Sequence, residues 1–204
     1  MPTQHTVQQG DCLSSIAEQY GIPWKTLWNH PGNADLKQSR KDPNVLYPGD
    51  TLNVPDKDLK EESRAVDARH KFKKKGEPTH IKIRLLLDDE PRAGLRYQLV
   101  VNGTTSKGST DNGGYLREVI PPDATTGVLI VGAGTAQEIF QLGFGTLDPI
   151  DTDSGVRGRL EALGYEVQED LAPAVRAFQA KEKLSATGVI DDPLRAKLKE
   201  KFGQ

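Results

Sequence analysis

The spacing of hydrophobic positions changes along the chain, and each change marks a different kind of element. Thr6-Val7-Gln8-Gln9 is a short polar–apolar stretch that ends at Gly10-Asp11. Leu13, Ile16, Ala17 and Tyr20 then fall at i, i+3, i+4 and i+7, which is one face of a helix. Asp11 is expected to cap that helix, because a carboxylate there can accept from the first free N–H groups. Gly21 is a natural stop, since it takes positive φ without a Cβ clash. Pro23 suits the first turn of a second helix, with Trp24, Leu27 and Trp28 as its apolar face. Residues 29–44 are polar and read as irregular. Tyr47-Pro48-Gly49-Asp50 reads as a turn, and Thr51-Leu52-Asn53-Val54 alternates as a strand.

A charged stretch, 56–68, is poor in large apolar groups and reads as linker. The Lys73-Lys74-Lys75 run that follows reads as a solvated linker edge, with anion attraction as the alternative. From residue 79 the period drops to two. Ile81, Ile83 and Leu85 alternate with Lys82 and Arg84, and Leu95, Tyr97, Leu99 and Val101 alternate again. Asn102-Gly103 signals a tight hairpin, because both residues tolerate positive φ. Asp111-Asn112-Gly113-Gly114 marks another turn, Leu116, Glu118 and Ile120 follow, and Val128 to Val131 is a short apolar run. After residue 149 the helical period returns. Ser154 is expected to cap a helix carrying Val156, Leu160 and Leu163, stopped by Gly164. Leu171, Val175 and Phe178 line a second helix. Asp192-Pro193 starts a third with Leu194, Leu198 and Phe202, ending at Gly203.

The expected fold is therefore a multidomain α+β chain. A βααβ unit spans 5–55, a charged linker 56–78, a small all-β sandwich 79–148 and a three-helix unit 149–204. Composition agrees with small cores: 35% of the 204 residues are hydrophobic and 27% charged. The net charge of −2 does not point to nucleic acid. The lone Cys12 cannot form an internal disulfide. No apolar run approaches the roughly 18 residues that span a bilayer, so no membrane insertion is expected. The first residues show no secretory signal pattern, so synthesis in the cytoplasm is expected, with delivery to the periplasm or a target cell by a specialised secretion system.

Two stretches together carry a family resemblance. Residues 5–17, His-Thr-Val-Gln-Gln-Gly-Asp-Cys-Leu-Ser-Ser-Ile-Ala, and 47–55, Tyr-Pro-Gly-Asp-Thr-Leu-Asn-Val-Pro, resemble the LysM domain in the order that family shows. The resemblance implies binding of N-acetylglucosamine-containing glycans, including peptidoglycan and chitin. It places the sugar between two loops, here Gly10, Asp11, Cys12 and Leu13 on one side and Val45, Leu46, Tyr47, Pro48 and Gly49 on the other. Backbone groups there would satisfy the N-acetyl amide, and Leu13 or Leu46 would cover its methyl. Cys12 stands where the family usually has Thr or Ser, a weaker hydrogen-bond partner.

Residues 156–165, Ala174 to Gln179 and Thr187 to Asp191 resemble a peptidoglycan-binding-domain-1 module, without the Asp-Gly…Gly loop usual before its second helix. The middle unit is similar to a transthyretin-like or carboxypeptidase-regulatory-like sandwich, through Thr110 to Tyr115 and Ile120 to Ala124. The order of units resembles small proteins that accompany type VI secretion spike proteins. A search for chemistry finds no catalytic set. His5, His30, His70 and His80 lack metal-ligand spacing. A Cys12–His pair, the acidic run Asp88-Asp89-Glu90 and Gly132-Ala133-Gly134 each lack the partners their chemistry needs. The expectation is a non-enzymatic binder of peptidoglycan glycan strands acting through two terminal modules, with no cofactor and no metal. The alternative is a structural or adaptor component of a contractile injection machine, whose partner is a spike or baseplate protein.

Overall fold

The computed structural model describes residues 3–57, 63, 65–71 and 79–202. Lys73-Lys74-Lys75, Gly203 and much of the expected linker lie outside the described residues. The rest is a mixed α/β chain with several small sheets and six α-helices. Its buried apolar residues fall into three clusters, contributed by residues 7–54, 85–131 and 156–198.

The first cluster is enclosed by β1 (Thr3–Thr6), α1 (Leu13–Tyr20), α2 (Trp24–Trp28), α3 (Ala34–Arg40) and β2 (Thr51–Val54). β1 and β2 pair antiparallel, Thr3 opposite Val54 and Thr6 opposite Thr51. The first strand thus lies earlier than the 6–9 stretch suggested. Leu13, Ile16, Leu27, Trp28, Leu46 and Leu52 fill the core between the helices and this ladder. Two expectations are corrected here. The cap of α1 is Cys12, in an extended conformation, and not Asp11. Asp11 sits one residue too early, and its carboxylate is taken by Gln8 N–H and His5. Residues 29–44 are also not irregular. A 3-10 turn at Pro31–Asn33 leads into α3.

That turn exists because of one buried amide. Asn33 is 1% exposed. Its Nδ2 donates to Leu27 O and Asn53 O, both at 2.9 Å, and its Oδ1 accepts from Asn53 N at 2.7 Å. A polar run with no apolar period is therefore held by hydrogen bonds, which periodicity cannot reveal.

The second cluster is built by strands. β3 (Thr79–Arg84) pairs with β8 (Tyr115–Ile120). β10 (Glu138–Gly143), β9 (Thr126–Val131), β6 (Arg96–Val101) and β7 (Thr104–Ser109) form a four-stranded sheet in that order. Tyr97, Leu99, Val101, Leu129 and Val131 from the larger sheet meet Leu116, Ile120, Ile81 and Ile83 from the smaller ladder. Asn102 and Gly103 take φ of 47° and 75° between β6 and β7, the two-residue hairpin the dipeptide signals. Glu118 faces inward and accepts from Tyr97 Oη across the two sheets at 2.7 Å. Burial, then this carboxylate, push the Tyr97 hydroxyl up to about 12, so it remains a donor. Asp88 and Asp89 form the tip of a short hairpin between β4 (Leu86–Leu87) and β5 (Glu90–Pro91), both at positive φ. Strands β7 and β10 were not legible: one is almost wholly polar, and the other buries little of either face.

The third cluster lies among α4 (Asp153–Ala162), α5 (Ala172–Lys181) and α6 (Asp192–Phe202). The cap of α4 is Thr152, not Ser154. Thr152 Oγ1 accepts from Gly155 N at 3.0 Å, while Ser154 is already inside the first turn. Gln179, 1% exposed, donates to Thr187 Oγ1 and Val189 O and accepts from Gly188 N. The Ala-Phe-Gln and Thr-Gly-Val pieces are therefore one physical unit.

Asn33→Ala is expected to lower stability by about 2–3 kcal/mol, because it strands buried backbone groups that the amide now satisfies. Urea unfolding of the full chain, followed by Trp24 and Trp28 fluorescence, measures this. A loss under about 0.5 kcal/mol would refute the role given to Asn33.

Candidate functional site

The two loops named from the sequence come together at one end of the β1–β2 ladder. Three backbone hydrogen bonds join the segments that carry them. Val7 N donates to Asp50 O (2.8 Å), Gly49 N to Val7 O (2.9 Å) and Leu13 N to Pro43 O (3.2 Å). Gly10 turns the first loop at φ +93°. Gly49 turns the second at φ +96°, after Pro48, with Asp50 N donating to Tyr47 O at 2.9 Å. Pro followed by a positive-φ Gly is what such a tight turn requires.

The side chains at these loops divide into two groups. Leu13, Val45 and Leu46 are only 1%, 5% and 4% exposed, and Leu13 and Leu46 belong to the core cluster. They offer a ligand no apolar surface, so the expected methyl contact from Leu13 or Leu46 does not follow. Leu13 and Leu46 turn inward to pack with Ile16, Leu27, Trp28 and Leu52. Tyr47 is the side chain that faces out, at 37% exposure. Its ring lies 5.6 Å from the Arg40 guanidinium. A phenol ring with an open surface can cover the apolar face of a sugar and still hydrogen-bond at its rim.

Cys12 is partly exposed and unoxidised. Its N–H donates to Ser15 Oγ (3.0 Å), and its carbonyl accepts from Ile16 N (3.1 Å). Neither His5 nor His30 hydrogen-bonds its sulfur. His5 bridges Tyr20 Oη and Asp11 Oδ2, each at 3.2 Å. His30 Nδ1 accepts from Gly32 N. His5 thus steadies the first loop from below through Asp11. Among the described residues no group of three His, Cys, Asp or Glu is placed to hold a metal, and no helix is long and apolar enough to cross a membrane.

Two residues absent from the sequence list organise the second loop. Arg40, on α3, donates from Nε and a terminal nitrogen to the Asp50 carboxylate at 2.7 and 2.8 Å. Asp50 Oδ2 also accepts from Tyr47 N at 2.9 Å. Burial works to raise the Asp50 carboxyl, but Arg40 and the Tyr47 N–H outweigh it and hold it below the ordinary 3.8. The bond to Asp50 raises Arg40 in turn. Arg40 lies ten positions before Asp50 in a segment read as irregular. Only the Asp of the Tyr-Pro-Gly-Asp turn was a signal.

A third contact comes from further along the chain. Gly145, at φ +69°, packs its backbone against the Gly10 carbonyl so closely that a Cβ would collide with it. Arg40 also lies 3.9 Å from Asp151. The segment between β10 and α4 therefore borders the first loop.

Comparison with known families identifies the N-terminal unit. Residues 5–35 match the LysM domain. The match takes in the end of β1, the first loop, α1, α2 and the entry to α3. LysM is a general peptidoglycan- and chitin-binding module, which supports a wall-binding role. Comparison of the chain with curated proteins and with solved structures gives no match. The second loop lies beyond the matched residues, and its place beside the first rests on the hydrogen bonds above.

The Arg40–Asp50 pair has a signed pH dependence. A depressed carboxyl stabilises the fold above its unfolded value, and that contribution disappears as pH falls through the lower folded value. Asp50→Asn is expected to cost about 2 kcal/mol at pH 7. The gap between wild type and variant should shrink as pH drops below 3.8. Urea titrations at pH 7 and near pH 3 check this, and a gap that persists unchanged in acid would contradict it.

Proposed function

We propose that the chain is a non-catalytic binder of N-acetylglucosamine-containing glycan, principally peptidoglycan. The observation that carries this is the LysM match over the first loop, together with the second loop held beside it with Tyr47 outward. Backbone N–H and C=O groups around Gly10 to Cys12 and Tyr47 to Gly49 serve the N-acetyl amide. Tyr47 takes the apolar contact that the buried leucines do not supply. A site this small binds weakly by itself, because few groups are desolvated against the entropy of association.

The three-helix unit is proposed as a second wall module, on the strength of its resemblance and of the Gln179 clamp that links its two motif pieces. Two weak sites on one chain raise retention on a polymer well above either alone. A second reading has its own support. The contact of Gly145 with Gly10 engages the first loop within the chain, and Asp151 approaches Arg40, which holds the second. A LysM that serves as a docking element in a contractile injection machine would use its loops in this way.

Titration of the full chain with chitohexaose, and co-sedimentation with insoluble peptidoglycan, separate these readings. The glycan reading expects saturable binding to both, with Tyr47→Ala weakening chitohexaose about tenfold. No retention on peptidoglycan and no chitohexaose binding, with co-purification of a spike or baseplate protein, would replace it with the docking reading.

A further inference from the structure

The outward face of the β3–β8 ladder carries a concentration of positive charge that glycan binding does not use. On β3 the exposed positions are His80, Lys82 and Arg84. The register sets Val119 opposite His80, Arg117 opposite Lys82 and Tyr115 opposite Arg84, so these six share one face. There is no carboxylate among them. Lys82 and Arg117 are like charges directly across the ladder, a pairing that costs stability.

None of Lys82, Arg84 and Arg117 forms an ion pair among the described residues. Lys82 Nζ and the Arg84 guanidinium instead lie 4.4 and 5.2 Å from the Tyr115 ring. Arg84 Nε donates to Gly113 O at 3.1 Å, which fixes the guanidinium and leaves its outer edge open. The sequence preceding β3 is basic as well. Between residues 71 and 84 there are six Lys or Arg (Lys71, Lys73, Lys74, Lys75, Lys82, Arg84) against one acid, Glu77, in a chain whose net charge is −2. Like charges gathered on one face with no carboxylate facing them among the described residues break the local pattern, and such departures mark function.

We propose that this face binds the carboxylate-bearing peptide stems of peptidoglycan, so that the chain holds the polymer by its acidic peptides as well as its sugars. This rests on the wall-binding reading above. The chemistry favours a peptide over other polyanions. Lys82 and Arg84 are two positions apart on a strand, about 7 Å, so together they reach two carboxylates of one short peptide. The planar fork of Arg84 fits a carboxylate through two parallel hydrogen bonds. A single-stranded nucleic acid would need several aromatic platforms for successive bases, and this face offers one ring, already engaged by two cations. An anionic membrane would need bulky apolar groups to insert, and Val119 alone is offered.

The test uses the full chain and a triple variant, Lys82→Gln with Arg84→Gln and Arg117→Gln. Both are measured by co-sedimentation with native peptidoglycan sacculi, with sacculi whose carboxyls have been amidated, and by titration with neutral chitohexaose. Wild type should bind native sacculi about tenfold more tightly than amidated ones at low ionic strength, and lose that preference at high salt. The triple variant should show no preference, yet bind chitohexaose as wild type does. The charge-keeping set Lys82→Arg with Arg84→Lys and Arg117→Lys should retain most of the preference, which separates a lost charge from a damaged fold. Equal binding of native sacculi by wild type and the Gln variant would overturn the inference. So would tighter binding to single-stranded DNA or to anionic vesicles than to sacculi. If chitohexaose binds neither protein while sacculi still distinguish them, the LysM reading fails and the peptide-binding face stands.

Discussion

Asp50 is the residue on which the geometry of the two N-terminal loops depends. Its carboxylate receives both nitrogens of Arg40 and the Tyr47 N–H, and its carbonyl receives Val7. One side chain thus closes the Tyr-Pro-Gly turn from within, anchors it to α3, and adjoins the backbone bond to the first loop. The pair is mostly shielded from water, so losing one partner would leave the other charge uncompensated. The exposure of Tyr47 follows from this arrangement. With its N–H tied to Asp50 and the neighbouring Leu46 drawn into the core, the ring has only the outside to occupy.

Small cores explain why so much of the structure is held by polar groups. The chain divides its apolar residues among three clusters, and none is large enough to order long connecting segments by burial alone. Buried amides take over that task. Asn33 orders the turn before α3, and Gln179 orders the loop before α6. In the middle unit Tyr97 and Glu118 join the two sheets through one inward hydrogen bond. Each of these groups is satisfied, which is the condition for a buried polar group to hold a fold rather than weaken it.

What could be read from the sequence was what local chemistry dictates. Asn102-Gly103 could hardly be other than a tight hairpin, and the glycines at 21 and 49 stand where positive φ is needed. The helices with a clear apolar face were visible for the same reason. The misses have a common cause: they depend on partners distant in sequence. Nothing local marks Arg40 as the partner of Asp50, or Asn33 as a clamp on β2, so the polar segment carrying both looked irregular. The inward turn of Leu13 and Leu46 is decided by what the core needs, and a motif cannot show it. Two helix caps were misplaced by one or two residues, where Cys12 and Thr152 compete with nearby Asp11 and Ser154. Net charge concealed the basic face, because an average over 204 residues cancels a cluster that only strand register brings together.

The most direct test of the account is to map where a neutral glycan touches the chain. Backbone amide shifts of the full-length protein, followed by NMR during titration with chitohexaose, report this residue by residue. The account predicts saturable shifts at Gly10, Asp11, Cys12, Tyr47 and Gly49, with β3 and β8 unmoved. Shifts confined to other units, or none at saturating oligosaccharide, would contradict it.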